Sequence, residues 1–316
     1  MSRQQKNFLE ERPYHRPVLL EESIEGLNIN PDGIYIDLTF GGGGHSKAIL
    51  DKLSDKGQLY AFDQDPDAKQ NLIDDGRFVF IHDNFSNLTE HLRLYRAFQV
   101  DGILADLGVS SYQIDEKERG FSTRFESLLD MRMSKRGRLC AREVINTYSE
   151  QELRTIFREY GELKNSSQIA RRIVEARENE IRTTSELKDI LSPILPTRFE
   201  NKFFAMVFQA LRIEVNNEMG VLANMLGQVS DILKPEARLV VISYHSLEDR
   251  LVKNLMKTGN IKGKVEKDFY GNNLSPLRMI TRKPITASDK ELEANPRSRS
   301  AKLRIAEKTI GEHGYE

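Results

Sequence analysis

A doubly wound α/β fold, built on a parallel sheet and interrupted by a helical insertion, is what this 316-residue sequence predicts. Three observations carry the prediction. Short apolar, β-prone runs at 34–36, 58–63, 78–82 and 100–106 alternate with segments of helical spacing, and such alternation builds parallel βαβ units with right-handed crossovers. Four glycines, Gly41 to Gly44, separate the first run from the helix after it. Each run also ends in polar groups, namely Asp37, Asp63, Asp83-Asn84-Phe85 and Asp106. A single strand-end Asp serves commonly as a turn residue. Four in succession favour a lined cleft beyond the carboxyl ends of the strands.

The elements follow in order. Residues 14–27 make a short amphipathic helix after Pro17, and Ile34-Tyr35-Ile36 is the first strand. Ala48, Ile49, Leu50 and Leu53 recur at helical spacing behind the glycines. The second strand, 58–63, is followed by Asp65-Pro66-Asp67 as a helix start, and the third strand by a helix over 88–98 that leads into the fourth. After Asp106 the periodicity stops, and the polar stretch to Thr123 reads as a long loop of the kind that is usually functional. Three helices opened by serines cover 149–160, 167–176 and 185–191 before Pro193 and Pro196. The apolar helix 202–215 returns to the sheet, a further helix runs to Leu233, and 238–243 is the fifth strand. Segments 276–281 and 301–306 predict a terminal hairpin. The division is therefore 1–111 with 205–316 as one discontinuous domain, and 112–204 as a helical insertion that recognises substrate.

The glycine loop lets a ligand reach bare backbone, because glycine takes φ > 0 without strain and a following helix presents unpaired N–H groups. A tight βα turn with no ligand is the plainer reading of the same letters. A phosphate-cradling loop would end Gly-Lys-Ser/Thr, whereas His45-Ser46-Lys47 follows Gly44. A dinucleotide fingerprint would need glycine where Ser46 stands. What remains is a nucleoside ligand without pyrophosphate, with Asp63 placed about 20 residues on to accept from ribose hydroxyls. S-adenosylmethionine is the common ligand of that description.

Composition sets the outer bounds. The single cysteine, Cys140, excludes a disulfide framework and a cysteine-rich zinc site, and no metal cluster is visible in the letters. No run approaches the ~18 apolar residues of a membrane span, and residues 1–16 have no apolar core. A cytoplasmic, soluble protein is expected. The net charge of −1 hides an asymmetry: residues 250–308 hold 15 Lys+Arg against 6 Asp+Glu, which leaves −10 for the rest. A basic lobe on a neutral chain is the footprint of a polyanion, though helix-end lysines on a solvated surface give the same count. A second basic run, 131–142, carries Arg132, Lys135, Arg136, Arg138 and Arg142 without an acid.

The letters also resemble a known family. Asp37-x-Thr39-x-Gly41-x-Gly43-Gly44-His45-Ser46, Asp63-x-Asp65, Asp101-Gly102-Ile103-Leu104-x-Asp106-Leu107-Gly108-Val109-Ser110-Ser111-x-Gln113, Arg119-Gly120-Phe121-Ser122, Ser243-x-His245-Ser246-Leu247-Glu248-Asp249-Arg250 and Asn295-Pro296-Arg297-x-Arg299-Ser300-Ala301 occur in one order along nearly the whole chain. They are similar to the MraW-type 16S ribosomal RNA cytosine N4-methyltransferases. The resemblance implies a class I S-adenosylmethionine-dependent methyltransferase fold, with 16S rRNA, in its decoding region and within the small ribosomal subunit, as substrate. It places cofactor contacts on Gly43, Gly44, His45, Asp63, Phe85, Asp106 and Gln113. Ser134 stands where the family usually has Asp, and Pro235-Glu236-Ala237 replaces its Pro-Gly-Gly turn.

Chemistry narrows the catalytic candidates. The cytosine amino lone pair is delocalised into the ring, so an acceptor on its N–H assists attack and later takes the proton. Asp106 is the first candidate, with His245 and Ser246 after the fifth strand as alternatives. Methylation at carbon would need a cysteine nucleophile, and Cys140 lacks the preceding proline of such sites. Phe85, Tyr112 and Tyr244 are strand-end aromatics that could stack on a base or simply pack. For RNA phosphates the candidates are Arg132, Arg136, Arg250, Arg297, Arg299 and Lys302, with Arg304 in the same lobe. An RNA-binding protein with an inactive methyltransferase fold is the alternative function, and the oligomeric state, a homodimer included, stays open.

Overall fold

In the computed structural model, residues 17–134, 137–195 and 200–310 are described; Tyr14, His15, Lys135, Arg136 and Pro196 lie outside them. Five strands follow the predicted runs: β1 (Ile34–Asp37), β2 (Gln58–Phe62), β3 (Phe78–Ile81), β4 (Val100–Asp106) and β5 (Leu233–Ser243). Two more, β6 (Leu277–Met279) and β7 (Lys302–Lys308), complete one sheet in the order β3-β2-β1-β4-β5-β7-β6. The first five are parallel, and β7 lies antiparallel between β5 and β6. This is the class I arrangement that the resemblance implies, with strand order reversing at β1 and β4. A cleft opens at such a reversal.

Alternation along the strands explains why they read as continuous apolar runs. Ile36, Ile103, Ala105, Leu239 and Val241 face one side, where they pack under α3 (Leu88–Leu94), α10 (Glu218–Ile232) and α11 (Ser246–Thr258). Tyr35, Leu104, Val240 and Ile242 face the other, under α1 (Leu20–Leu27) and α2 (Gly44–Leu50). Both faces are covered, so both must be apolar.

A further core lies between β4 and α10 in sequence. It is built from α5 (Ala141–Thr147), α6 (Glu150–Glu159), α7 (Ser166–Ala176), α8 (Thr184–Leu191) and α9 (Glu200–Asn216), around Phe157, Ile169, Leu187, Phe204 and Leu211, so the apolar helix predicted over 202–215 packs in this core rather than returning to the sheet. α6 opens on the Ser149 cap that the letters predict, with Glu three residues on, whereas α8 is capped by Thr183 rather than by Ser185 and α7 follows Asn165, which makes no side-chain cap.

Several boundaries differ from the periodicity. Pro66 to Asn71 form a 3₁₀ turn rather than an α-helix, because Asp65 caps it and Pro66 restricts its start. The helix predicted over 88–98 stops at Leu94, and Arg96 turns left-handed at φ 58°. The long loop contains a short α4 (Ser111–Asp115), capped by Ser110 and Gln113. β5 begins at Leu233, with an irregularity opposite Val100 to Gly102 and Glu236 at φ 66°. The terminal pair is joined through α12 (Asp289–Ala294) rather than by a tight hairpin turn.

Candidate active site

Two carboxylates fix the glycine loop, Asp37 and Asp63. Asp37 is fully buried at the end of β1 and accepts from the Thr39 N–H at 3.0 Å and the Ser46 hydroxyl at 2.7 Å, which ties the loop to the first turn of α2. Gly43 sits at φ 76° with the Phe40 ring 3.0 Å from where a Cβ would lie, so a side chain there is strained and crowded. Gly44 packs on Pro17 so closely that a Cβ would fall 2.2 Å from its Cγ. Gly42, by contrast, is exposed and open.

Asp63, just past β2, accepts from the Gly41 N–H and the Asp65 N–H, each at 2.8 Å, one on each carboxylate oxygen. Each oxygen keeps a second lone pair. Burial pushes its carboxyl up to about 6, against the pull of those two N–H groups. Asp65, two residues on, has a different surrounding. It is 4% exposed and meets the Gln113 amide at 2.6 Å and the Arg119 guanidinium at 3.0 Å.

Arg119 is the residue that periodicity alone passes over. The residue is 8% exposed, and its guanidinium reaches Asp65, Asp67 and the carbonyls of Arg132 and Met133. On the far side, Asn216 at the end of α9 accepts from the Met133 N–H at 2.7 Å and donates to the Met131 carbonyl at 2.8 Å. The segment after β4 is thereby clamped between the sheet and the helical core. Only its place in an Arg-Gly-Phe-Ser word marked Arg119 in the letters.

Asp106 ends β4 beside the loop. Its backbone N–H donates to Thr39 Oγ1 at 2.7 Å, and its Oδ1 accepts from the Tyr244 hydroxyl at 2.7 Å. Oδ2 lies 3.9 Å from His45 Nδ1, beyond hydrogen-bond range. The His45 ring faces the Val18 carbonyl through Nε2 at 3.2 Å; a carbonyl can only accept, so Nε2 carries the proton. Asp106 thus keeps one oxygen free of a direct partner in a side chain that is 22% exposed. Burial pushes this carboxyl up to about 6; His45 from α2 and the Tyr244 hydroxyl pull it down, while Asp37 of β1 and Glu248 of α11 add to the rise.

The other predicted residues fall in different settings. His245 caps α11 with its side chain 7% exposed, its Nε2 3.2 Å from Glu248 Oε1. Glu248 also accepts from the Tyr244 N–H, and the neighbouring Glu218 is held by both Arg212 nitrogens at 2.7 and 2.9 Å. Ser246 donates to Glu162 at 2.6 Å, across to the turn after α6. Gln113 is 5% exposed, with its carbonyl accepting from Ser110 and its amide on Asp65. Phe85 is half-buried against the core.

The basic candidates divide sharply. Arg132 is held by both oxygens of Asp130 and by the Gly137 carbonyl. Arg297 meets Asp115 at 2.5 Å, Lys302 lies 3.6 Å from Asp249, and Arg304 is 5% exposed with Asp249 on its guanidinium. Arg299 is exposed, and Arg250 is exposed along a groove of about 530 Å³ shared with Tyr160, Glu162, Lys164, Met219 and Leu247. Arg136 lies outside the described residues.

Comparison with known proteins adds to this geometry. A family model described as the MraW methylase family matches residues 12–309. Ribosomal RNA small subunit methyltransferase H of Bacteroides thetaiotaomicron is 55% identical over 300 residues, covering 95% of this chain and 99% of that protein. Proteins of the same name from Phocaeicola vulgatus and Flavobacterium johnsoniae are each 56% identical over 296 residues, which is 93% of this chain and 97% and 98% of theirs.

Proposed function

The chain belongs to the MraW methylase family, and from that membership we propose that it methylates the exocyclic N4 of one cytidine in 16S ribosomal RNA, using S-adenosylmethionine and acting on the small ribosomal subunit in the cytoplasm. The observation that supports this chemistry best is the pair of strand-end carboxylates, Asp63 and Asp106, flanking one glycine loop. Among the described residues no helix is long and apolar enough to cross a membrane. Incubating the protein with small subunits and methyl-labelled cofactor tests the reading through the nucleoside that acquires the label.

The residues fit the cofactor. Gly43 takes a left-handed φ and Gly44 packs on Pro17 where a side chain would clash, Gly42 leaves backbone open, and Asp63 retains lone pairs for two ribose hydroxyls. His45, Phe85 and Gln113 complete the pocket, Gln113 by fixing Asp65 and the start of α4. When bound, the cofactor supplies a methyl group on a sulfonium. The chain's task is then to align the cytosine nitrogen with that methyl and to dispose of one proton. Asp106 Oδ2 accepts the N4–H, which localises the lone pair for attack, and takes the proton once the new N–C bond has formed. His245, turned onto Glu248, and Ser246, bonded to Glu162, orient the β5–α11 corner. We assign residues 112–204 as the unit that recognises the RNA around the target base.

Tyr244 positions Asp106. Its hydroxyl occupies Oδ1 and leaves Oδ2 for the substrate, and it favours the ionised carboxylate. The active form is the ionised one, and burial raises its pKa, so activity is present above that pKa and lost as pH falls through it. The acid limb of kcat/KM should therefore centre near pH 6, where Asp63 also titrates. Tyr244→Phe removes a donor from the charged form and should move that limb to higher pH. An unmoved limb in a folded variant would leave Tyr244 only a packing role.

A further inference from the structure

The positive charge of the C-terminal lobe is not concentrated where Arg297, Lys302 and Arg304 are spent on Asp115 and Asp249. The excursion between α11 and β6, residues 259–276, carries Lys262, Lys264 and Lys267 against Glu266 and Asp268, with Arg278 in β6 and Arg282 and Lys283 just after it. Among the described residues Lys262, Lys264, Lys267, Arg282 and Lys283 make no ion pair, and all five are exposed. Asp268 is used internally, accepting from the Asn272 backbone at 2.8 Å and its amide at 2.9 Å.

The same excursion is an ordered finger. Leu274 N–H donates to the Glu266 carbonyl, Asp268 N–H to that of Asn272 and Gly271 N–H to that of Asp268, a two-stranded ladder with a tight tip. At the tip Phe269 is 97% exposed and Tyr270 86% exposed, their rings 5.7 Å apart and nearly perpendicular. Two aromatic faces held in water by a hydrogen-bonded turn gain nothing for the fold. Beside unpaired lysines they have the composition of a stacking platform for single-stranded nucleic acid, where cations follow the backbone and rings take the bases.

We propose that the Phe269–Tyr270 finger binds an unpaired stretch of RNA by stacking, at a distance from the base that is methylated. The inference rests on the RNA reading above. α11 starts at the cleft and spans 13 residues, so its far end, from which the finger springs, stands roughly 20 Å from the reacting groups at 1.5 Å per residue. The finger therefore serves affinity for a large RNA and touches no reacting atom.

The chain has no tryptophan, so Phe269→Trp places a lone fluorescent reporter at the tip of the full-length protein. Without cofactor, single-stranded poly(U) should quench the introduced indole and heparin should not, since heparin has charge but no bases. Phe269→Ala with Tyr270→Ala should weaken poly(U) binding about 10-fold or more. No quenching by poly(U), or equal quenching by heparin, overturns the proposal. Emission that rises and shifts to the blue with anionic lipid vesicles, with no response to poly(U), would assign the finger to a membrane surface instead and likewise overturn it. Because the reading needs no methyl transfer, a failure of the methylation assay would not be mistaken for a failure of the finger.

Discussion

Replacing Asp106 by asparagine lowers the turnover number by about 10²-fold or more even at saturating cofactor, as loss of a general base does. The amide keeps the shape of the carboxylate and can still accept one hydrogen bond from Tyr244 or from the cytosine amine. It cannot take the proton. Were Asp106 only a cofactor ligand, the same variant would raise KM for S-adenosylmethionine, and saturation would restore the rate. Steady-state kinetics at several cofactor concentrations separate the two, and full recovery would remove Asp106 from proton transfer. The geometry favours the first outcome, because Oδ1 is occupied by Tyr244 while Oδ2 has no partner within hydrogen-bond range.

The second large effect is on stability. Arg119→Ala should cost about 3–5 kcal/mol, the usual range when one member of a buried ion pair is removed. Asp65, 4% exposed, would lose its counter-charge, and the carbonyls of Arg132 and Met133 would lose a donor. Urea denaturation gives the number. Adding Asp65→Asn should recover part of the loss, since the buried charge is then gone. A loss below about 1 kcal/mol would mean that water reaches the cluster and that the segment after β4 is held by Asn216 rather than by Arg119.

The order of strands was readable because each is a short apolar run with its polar group at one end, and both faces of the sheet are covered. The letters Asp63-x-Asp65 were less transparent. Both acids follow β2, yet one holds the glycine loop and the other is buried under an arginine 54 residues away. Nothing local distinguishes them. Tyr244 meets Asp106 across 138 residues for the same reason, and only the parallel pairing of β4 with β5 brings their ends together. Charge counting located a basic lobe but could not see that Asp249 neutralises Arg304 and approaches Lys302. Lys262, Lys264 and Lys267, which make no ion pair among the described residues, lie on the finger and its approach, and a count over 250–308 cannot separate them from the rest. The shortened helix α3 was equally invisible, because its end is set by a left-handed Arg96 rather than by glycine or proline.

Methyl transfer to N4 of a cytidine is tested most directly by the chemical identity of the product. Small subunits lacking the modification, incubated with this protein and methyl-labelled S-adenosylmethionine, should be digested to nucleosides and resolved by mass spectrometry against standards. Label in N4-methylcytidine, mapped to one site in the decoding region and lost with Asp106→Asn, is the predicted result. Label in 5-methylcytidine or in another nucleoside, or no transfer by a protein that binds the cofactor, would contradict it.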